Sequence, residues 1–151
     1  MISIHFHLDG VPAARAGKVF KQAAARELFL GYLARISKFT DCSVLGSFTP
    51  KISTGAGAEV WVCDGRSGKV LSSEALAAAI GKLRDSGTRV LRIILGGPDG
   101  FSRGELSRLN PDFIWSFGPM TLPHELAAAI AAEQVYRAFT ILGGLPYHTG
   151  H

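Results

Sequence analysis

The sequence predicts a single-domain α/β protein, residues 1–151, built on a mainly parallel sheet sandwiched by helices. Its 151 residues suit one domain with one core. Hydrophobic residues make up 47% against 19% charged, which excludes intrinsic disorder. Strand-patterned and helix-patterned segments alternate along the chain, and that alternation puts helices on the faces of a parallel sheet.

The first strand is Ile2 to Leu8, where Ile2, Ile4, Phe6 and Leu8 alternate with Ser3, His5 and His7. After the breaker Gly10-Val11-Pro12, the stretch from Ala14 to Ser37 is rich in Ala, Lys, Arg, Leu and Glu, lacks proline, and predicts one long helix. Cys42 to Phe48 reads as the second strand, Thr49 to Ala58 as a turn-rich loop, and Glu59 to Asp64 as the third strand. Ser72-Ser73-Glu74 caps a helix with the apolar stripe Leu76, Ala79, Ile80 and Leu83, and Ser86-Gly87 ends it. Arg89 to Leu95 is β-rich with an apolar end, as a central strand requires, and runs into Gly96-Gly97-Pro98-Asp99-Gly100. Ser102 and Glu105 have the spacing of a capping box for a short helix, and after Asn110-Pro111 comes the fifth strand, Asp112 to Phe117. A second glycine- and proline-rich loop, Gly118 to His124, leads into the last helix, Glu125 to Leu142, with Pro123 near its first turn and Gly143-Gly144 as its stop.

No stretch approaches the roughly 20 apolar residues of a membrane helix, so no membrane association is expected. The start of the chain lacks a basic n-region and carries His5 and His7 within its apolar run, so no secretory signal is expected and the expected location is cytoplasmic. Cys42 and Cys63 are too few and too far apart for a disulfide framework or a Cys-x-x-Cys site and read as buried, reduced thiols. The net charge of +4 permits a polyanionic partner without requiring one.

Several constellations resemble chemical motifs. Gly100-Phe101-Ser102-Arg103-Gly104 spells a nucleophile elbow, with Asp112, His124 and His148 following, but Ser102 lies six residues beyond the strand and is accounted for as a helix cap. Gly65-Arg66-Ser67-Gly68-Lys69-Val70 lacks both the first glycine of a phosphate loop and the hydroxyl residue after its lysine. His5 and His7 share a strand face without a visible third ligand, so no metal is predicted. Arg15, Lys18 and Arg26 are expected on one face of the first helix, opposite Arg35 and Lys38, as solvated surface. The alanine runs 127–129 and 131–132 make the last helix smooth enough for another helix, of this chain or of a second subunit, and Glu133 and Arg137 are placed for a surface ion pair. The loops 96–100 and 118–123 each follow a predicted strand, where open α/β sheets bind ligands, and they present backbone groups in place of side chains.

The C-terminal half carries a more specific signal: Leu95-Gly-Gly-Pro-Asp-Gly-Phe-Ser102, Trp115-Ser-Phe-Gly-Pro-Met-Thr-Leu-Pro-His124, Glu133-Gln-Val-Tyr-Arg-Ala138 and Pro146-Tyr-His148. In order and spacing these resemble the ribosomal large-subunit methyltransferase H family, of the SPOUT class. Cys63-Asp64 and Gly68 to Ser73 look like a further family segment with about one extra residue, and the resemblance covers about residues 60–148. It implies a C-terminal trefoil knot, a homodimer, S-adenosylmethionine as methyl donor, and N3 of a pseudouridine in 23S rRNA, free or in the assembled ribosome, as target. It also implies that Cys63, Gly97, Gly118, Pro119, Met120, Thr121, Leu122 and Pro123 surround the donor. His124, Tyr147 and His148 are the candidate catalytic groups, with His148 favoured for proton removal or nucleobase orientation. Two departures stand out: the loop 49–58 is too short for the family's charged loop and extra helix, and the tail Thr149-Gly150-His151 lacks the usual basic residue. The alternative reading is a non-catalytic relative that binds S-adenosylmethionine or RNA.

Overall fold

Alternation along the strands decides which side of the sheet each residue faces, and it organises the whole molecule. The fold is that of a computed structural model, which describes residues 1–16, 18–50 and 57–150. The elements are β1 (Ser3–Leu8), α1 (Ala23–Ile36), β2 (Cys42–Leu45), β3 (Ala58–Cys63), β4 (Lys69–Val70), α2 (Ser73–Asp85), β5 (Val90–Leu95), α3 (Arg103–Leu109), β6 (Phe113–Ser116) and α4 (His124–Leu142). The strands form one sheet in the order β2-β1-β5-β3-β6-β4, and each of the five pairings is parallel. Ile2, Ile4, Phe6, Leu91, Ile93, Leu95, Trp61 and Trp115 join the main core with Phe29, Leu33 and Ile36 of α1, Leu76 and Ile80 of α2, and Val135 of α4. The intervening Val60, Val62 and Ile94 face the other way, into a smaller core with Phe48, Phe101 and Leu109. Helices α1, α2 and α4 therefore cover one face and α3 the other, as the predicted sandwich requires.

Several predicted boundaries move. In place of one long helix from Ala14, the chain has a 3-10 turn at Ala13–Arg15 and a helix that begins only at Ala23. Two tertiary contacts impose this. Phe20 is buried and stacked on Phe29 at 5.2 Å between ring centroids, and the backbone N–H groups of Lys21 and Gln22 donate to the two carboxylate oxygens of Glu125 at 2.9 and 2.8 Å. Gln22 offers no side-chain cap of its own, so a buried carboxylate about 100 residues away caps α1 instead. Arg15 and Lys18 consequently do not share a helix face with Arg26, which alone of the three lies in α1.

The second strand stops at Leu45, because Gly46 passes against the chain at Val11–Ala13, where a Cβ would lie 2.3 Å from the Val11 carbonyl oxygen. The two-residue β4, unforeseen in the sequence, pairs with β6 at the sheet edge. Residues 51–56 of the 49–58 loop and His151 of the tail lie outside the described residues.

His5 and His7 do share a strand face, and between them stands Arg92. His7 donates from Nδ1 to the Gly46 carbonyl at 3.0 Å and accepts at Nε2 from Arg92 Nη1 at 3.0 Å, while His5 Nδ1 lies 3.4 Å from the same Nη1. Burial, with the neighbouring Arg92 charge, pushes the His7 pKa down to about 4 against the pull of the Gly46 carbonyl. The ring is thus a neutral, hydrogen-bonded core histidine. Among the described residues, no three His, Cys, Asp or Glu side chains are grouped to hold a metal ion, and no helix is long and apolar enough to cross a membrane.

Two predictions follow from these contacts. Burial raises the Glu125 carboxyl, but the Lys21 and Gln22 N–H groups outweigh it and leave the pKa below the ordinary glutamate value. Its stabilisation is present above that ordinary value and is lost as pH falls through the lowered one. Glu125→Ala is expected to cost about 1–3 kcal/mol in urea unfolding at neutral pH, with hydrogen exchange accelerated at the start of α1. For His7 the sign is opposite to that of a salt-bridged histidine: the unfolded chain takes a proton near its ordinary pKa that the folded chain refuses. Stability is expected to fall between about pH 6.5 and about pH 4, and His7→Gln should remove about one proton from that slope.

Candidate functional site

Parallel pairing places the C-terminal ends of β5, β3 and β6 side by side, with Trp61 opposite both Ile93 and Phe113 and Cys63 opposite Trp115. The loops leaving these ends enclose a cavity of about 390 Å³, within the range of about 300–1,000 Å³ common for small-molecule sites. It is lined by Cys63 to Arg66 after β3, by Leu95 to Gly100 after β5, and by Phe117 to Leu122 with His124 after β6. Of the sequence-predicted binding residues, Cys63, Gly97, Gly118, Pro119, Met120, Thr121 and Leu122 all line this one cavity; Pro123 is the N-cap of α4 at its edge.

Backbone proximity holds the loops in place. A Cβ on Gly68 would lie 2.5 Å from the Asp64 carbonyl oxygen and 2.8 Å from the Ser116 nitrogen, so only glycine lets β4 close against β6. Gly118 has φ of +112°, a conformation that turns its loop out of β6 and strains any L side chain. The Ser116 hydroxyl, buried between the loops, accepts from the Gly118 N–H at 3.1 Å and lies 3.4 Å from the Gly65 carbonyl, toward which it can donate. Asp64 closes the turn after β3, accepting from the Ser67 N–H at 3.1 Å and the Ser67 hydroxyl at 2.5 Å. Gly97, by contrast, has room: its Cβ would meet nothing nearer than the Asp9 carbonyl oxygen at 3.7 Å.

The interior pairs these backbone groups with the apolar side chains of Leu95, Phe117 and Leu122. Cys63 contributes a neutral thiol, since burial pushes its pKa far up; burial likewise pushes Cys42 up to about 12. Arg66 and Asp99 stand at the charged part of the lining. Asp99 lies in the loop 96–100 that the sequence marks as a candidate binding loop, without being singled out there, whereas Arg66 lies in the 65–70 segment that lacks the glycine and hydroxyl of a phosphate loop. A second cavity, of about 460 Å³, shares Leu95 to Gly100 and His124 and extends to Asp9, Lys21, Glu105 and Glu125. Burial, and then the Glu105 charge, raise the Asp9 pKa there.

The candidate catalytic groups divide. His124 lines both cavities, with Nε2 3.8 Å from a Glu125 oxygen. Tyr147 and His148 line neither. The tail instead folds back along α4: Tyr147 donates to Glu133 at 2.8 Å, Arg137 pairs with Glu133 at 2.8 Å and donates to His148 Nδ1 at 3.0 Å, and His148 Nε2 donates to Glu74 of α2 at 2.5 Å. Those two contacts assign His148 the Nε2–H tautomer. The His148 contact holds Glu74 below the usual carboxylate range, while burial and the hydrogen bonds with Tyr32 and Glu133 push Tyr147 up.

Ser102 makes a full capping box with Glu105, and Asp112 accepts from the Val60 N–H at 2.8 Å, so the apparent elbow is structural. Ala128, Ala131, Ala132 and Ala138 are buried within the chain, so the smooth face of α4 serves α1 and α2. Leu126 on α4 and Leu28 and Leu30 on α1 are the large apolar side chains that these helices expose. Gly68→Ala is expected to cost about 2 kcal/mol or more in thermal or urea unfolding, through a clash the backbone cannot relieve, whereas Gly97→Ala should unfold with the wild type.

Comparison with known proteins agrees with this geometry. The family model for predicted SPOUT methyltransferases matches residues 48–148. The ribosomal RNA large subunit methyltransferase H of Caulobacter sp. (strain K31) is 52% identical over 92 residues, 61% of this chain and 58% of that protein. Its namesake in Brucella ovis is 46% identical over 96 residues, 64% of this chain and 55% of that protein. These matches span little more than half the length of either relative. A probable methyltransferase from Bordetella pertussis Tohama I shares the fold, with a TM-score of 0.59 at 16% identity, over 91% of this chain and 94% of that one. With the family model matching two thirds of its residues and the motif-bearing loops gathered around one cavity, the chain belongs to the SPOUT methyltransferase family.

Proposed function

We propose that the chain is an S-adenosylmethionine-dependent rRNA methyltransferase, and that its target is N3 of a pseudouridine in 23S rRNA. The observation that carries this reading is the convergence of the 63–66, 95–100 and 117–122 segments on one cavity whose lining is rich in glycine and apolar residues and includes the charged Arg66 and Asp99. The lining suits a ligand with a flat heterocycle and a charged end. Gly97 and Gly118 leave open the space that a Cβ would begin to fill. When bound, the donor supplies an electrophilic methyl group. The chain's own task is then to align that group with a nitrogen and to assist loss of its proton. The relatives named large subunit methyltransferase H support rRNA as the substrate.

His124 would act from within the cavity wall. Tyr147 and His148 are set back along α4, a helix of 19 residues and about 28 Å. We assign them to the target-base side of a site completed by a second copy. Exposed Leu28, Leu30 and Leu126 are the apolar residues of α1 and α4 available to a symmetric homodimer. The knotted threading implied by the resemblance belongs to the same reading.

The test uses ribosomes from cells lacking the gene, labelled S-adenosylmethionine and mass spectrometry of the rRNA. Methyl transfer to a single 23S position is expected. Donor binding without transfer to any rRNA would leave the non-catalytic alternative standing. Gly97→Val should abolish calorimetric donor binding in a chain that still folds. His148→Ala should keep donor affinity while slowing single-turnover transfer by about 10²-fold. Unchanged transfer would remove its catalytic role, and a monomer by light scattering with full activity would remove the dimer.

A further inference from the structure

The charged mouth of the cavity is not explained by what holds the fold together. Arg66 reaches from the turn after β3 across to the next loop, where Nη2 donates to the Phe101 carbonyl at 2.9 Å. A guanidinium has five N–H donors in a planar fork. Among the described residues this is the one hydrogen bond Arg66 makes, and it enters no ion pair. Asp99 lines the same cavity from the loop after β5, is exposed, and has no hydrogen-bond or ion-pair partner among the described residues. The neighbouring Asp64 is different, being committed to Ser67. Two opposite charges thus flank one cavity on separate loops, neither neutralised by the other.

A pair kept apart in this way adds nothing to stability. It complements a ligand whose two charges lie at one end. We propose that Arg66 and Asp99 clamp the amino-acid end of the methyl donor, Arg66 taking the α-carboxylate and Asp99 the α-ammonium. The inference rests on reading this cavity as the donor site. The Phe101 contact holds the guanidinium across the mouth before any ligand arrives, which lowers the ordering cost of binding and leaves the other N–H groups for a carboxylate. Donor and demethylated product carry the same amino-acid end, so the clamp contributes equally before and after transfer. It acts on affinity and on discrimination between nucleosides, not on the chemical step.

The experiment is calorimetric titration of the full chain with S-adenosylhomocysteine and with its decarboxylated analogue, which keeps the ammonium. The wild type is expected to prefer S-adenosylhomocysteine by about tenfold. Arg66→Gln should bring the preference to within about twofold by weakening S-adenosylhomocysteine alone, as the coupling in a two-ligand cycle requires. Asp99→Asn should weaken both ligands alike and keep the preference. A wild type without preference, an Arg66→Gln variant that retains it, or one that weakens both ligands equally would overturn the Arg66 assignment. An Asp99→Asn variant with both affinities unchanged would overturn that of Asp99. No heat from S-adenosylhomocysteine with the wild type would instead overturn the donor-site reading, before any comparison of ligands is made.

Discussion

The parallel adjacency of β5, β3 and β6 is the constraint on which the site depends. Parallel strands in register present their C-terminal ends along one edge, so loops far apart in sequence leave the sheet as neighbours. With β3 between the other two, the turn after Cys63, the loop after Leu95 and the loop after Ser116 surround a common space. The hydrophobic alternation that fixes register also settles which residues serve the two cores, since a slip of one position would exchange them.

Once those loops meet, their conformations are decided by backbone proximity. Gly68 is needed because the chain passes within contact distance of Asp64 and Ser116, and Ser116 ties the loops together by hydrogen bonds to main-chain groups. The cavity between them is lined largely by glycine, proline and apolar residues. Of the carboxylate and guanidinium groups in its lining, Asp64 is buried and committed to Ser67, whereas Arg66 and Asp99 are exposed.

Helix α4 links this end of the molecule to the other. At its start Glu125 caps α1 across the sequence, and His124 lines the cavity. Further along, Glu133 and Arg137 form a partly buried pair that receives the returning tail through Tyr147 and His148. Tyr136 touches Tyr32, Phe39 and Tyr147, so the aromatic packing of α1, α4 and the tail is continuous. The tail is therefore well anchored on its own chain, yet apart from the cavity of that chain.

Much of the fold was legible because it rests on local periodicity. Ile2 to Leu8, the Ser72 cap, the Ser102–Glu105 box and the Gly143 stop are read within a few residues, and each is observed. The glycine-bearing loops were likewise recognisable from composition and motif, and both line the cavity. What the sequence could not disclose depends on partners distant along the chain. The start of α1 is set by Glu125, the end of β2 by Gly46 against Val11, and β4 exists through its pairing with β6. The mouth charges Arg66 and Asp99 are 33 positions apart and become one feature only through strand order. The sequence by itself determined most of the elements, their inward faces and the loops at the strand ends, since these follow from period, caps and glycine. Tertiary structure alone decided which loops share a cavity and where the tail lies, because strand order and long-range capping arise from burial that no local window contains.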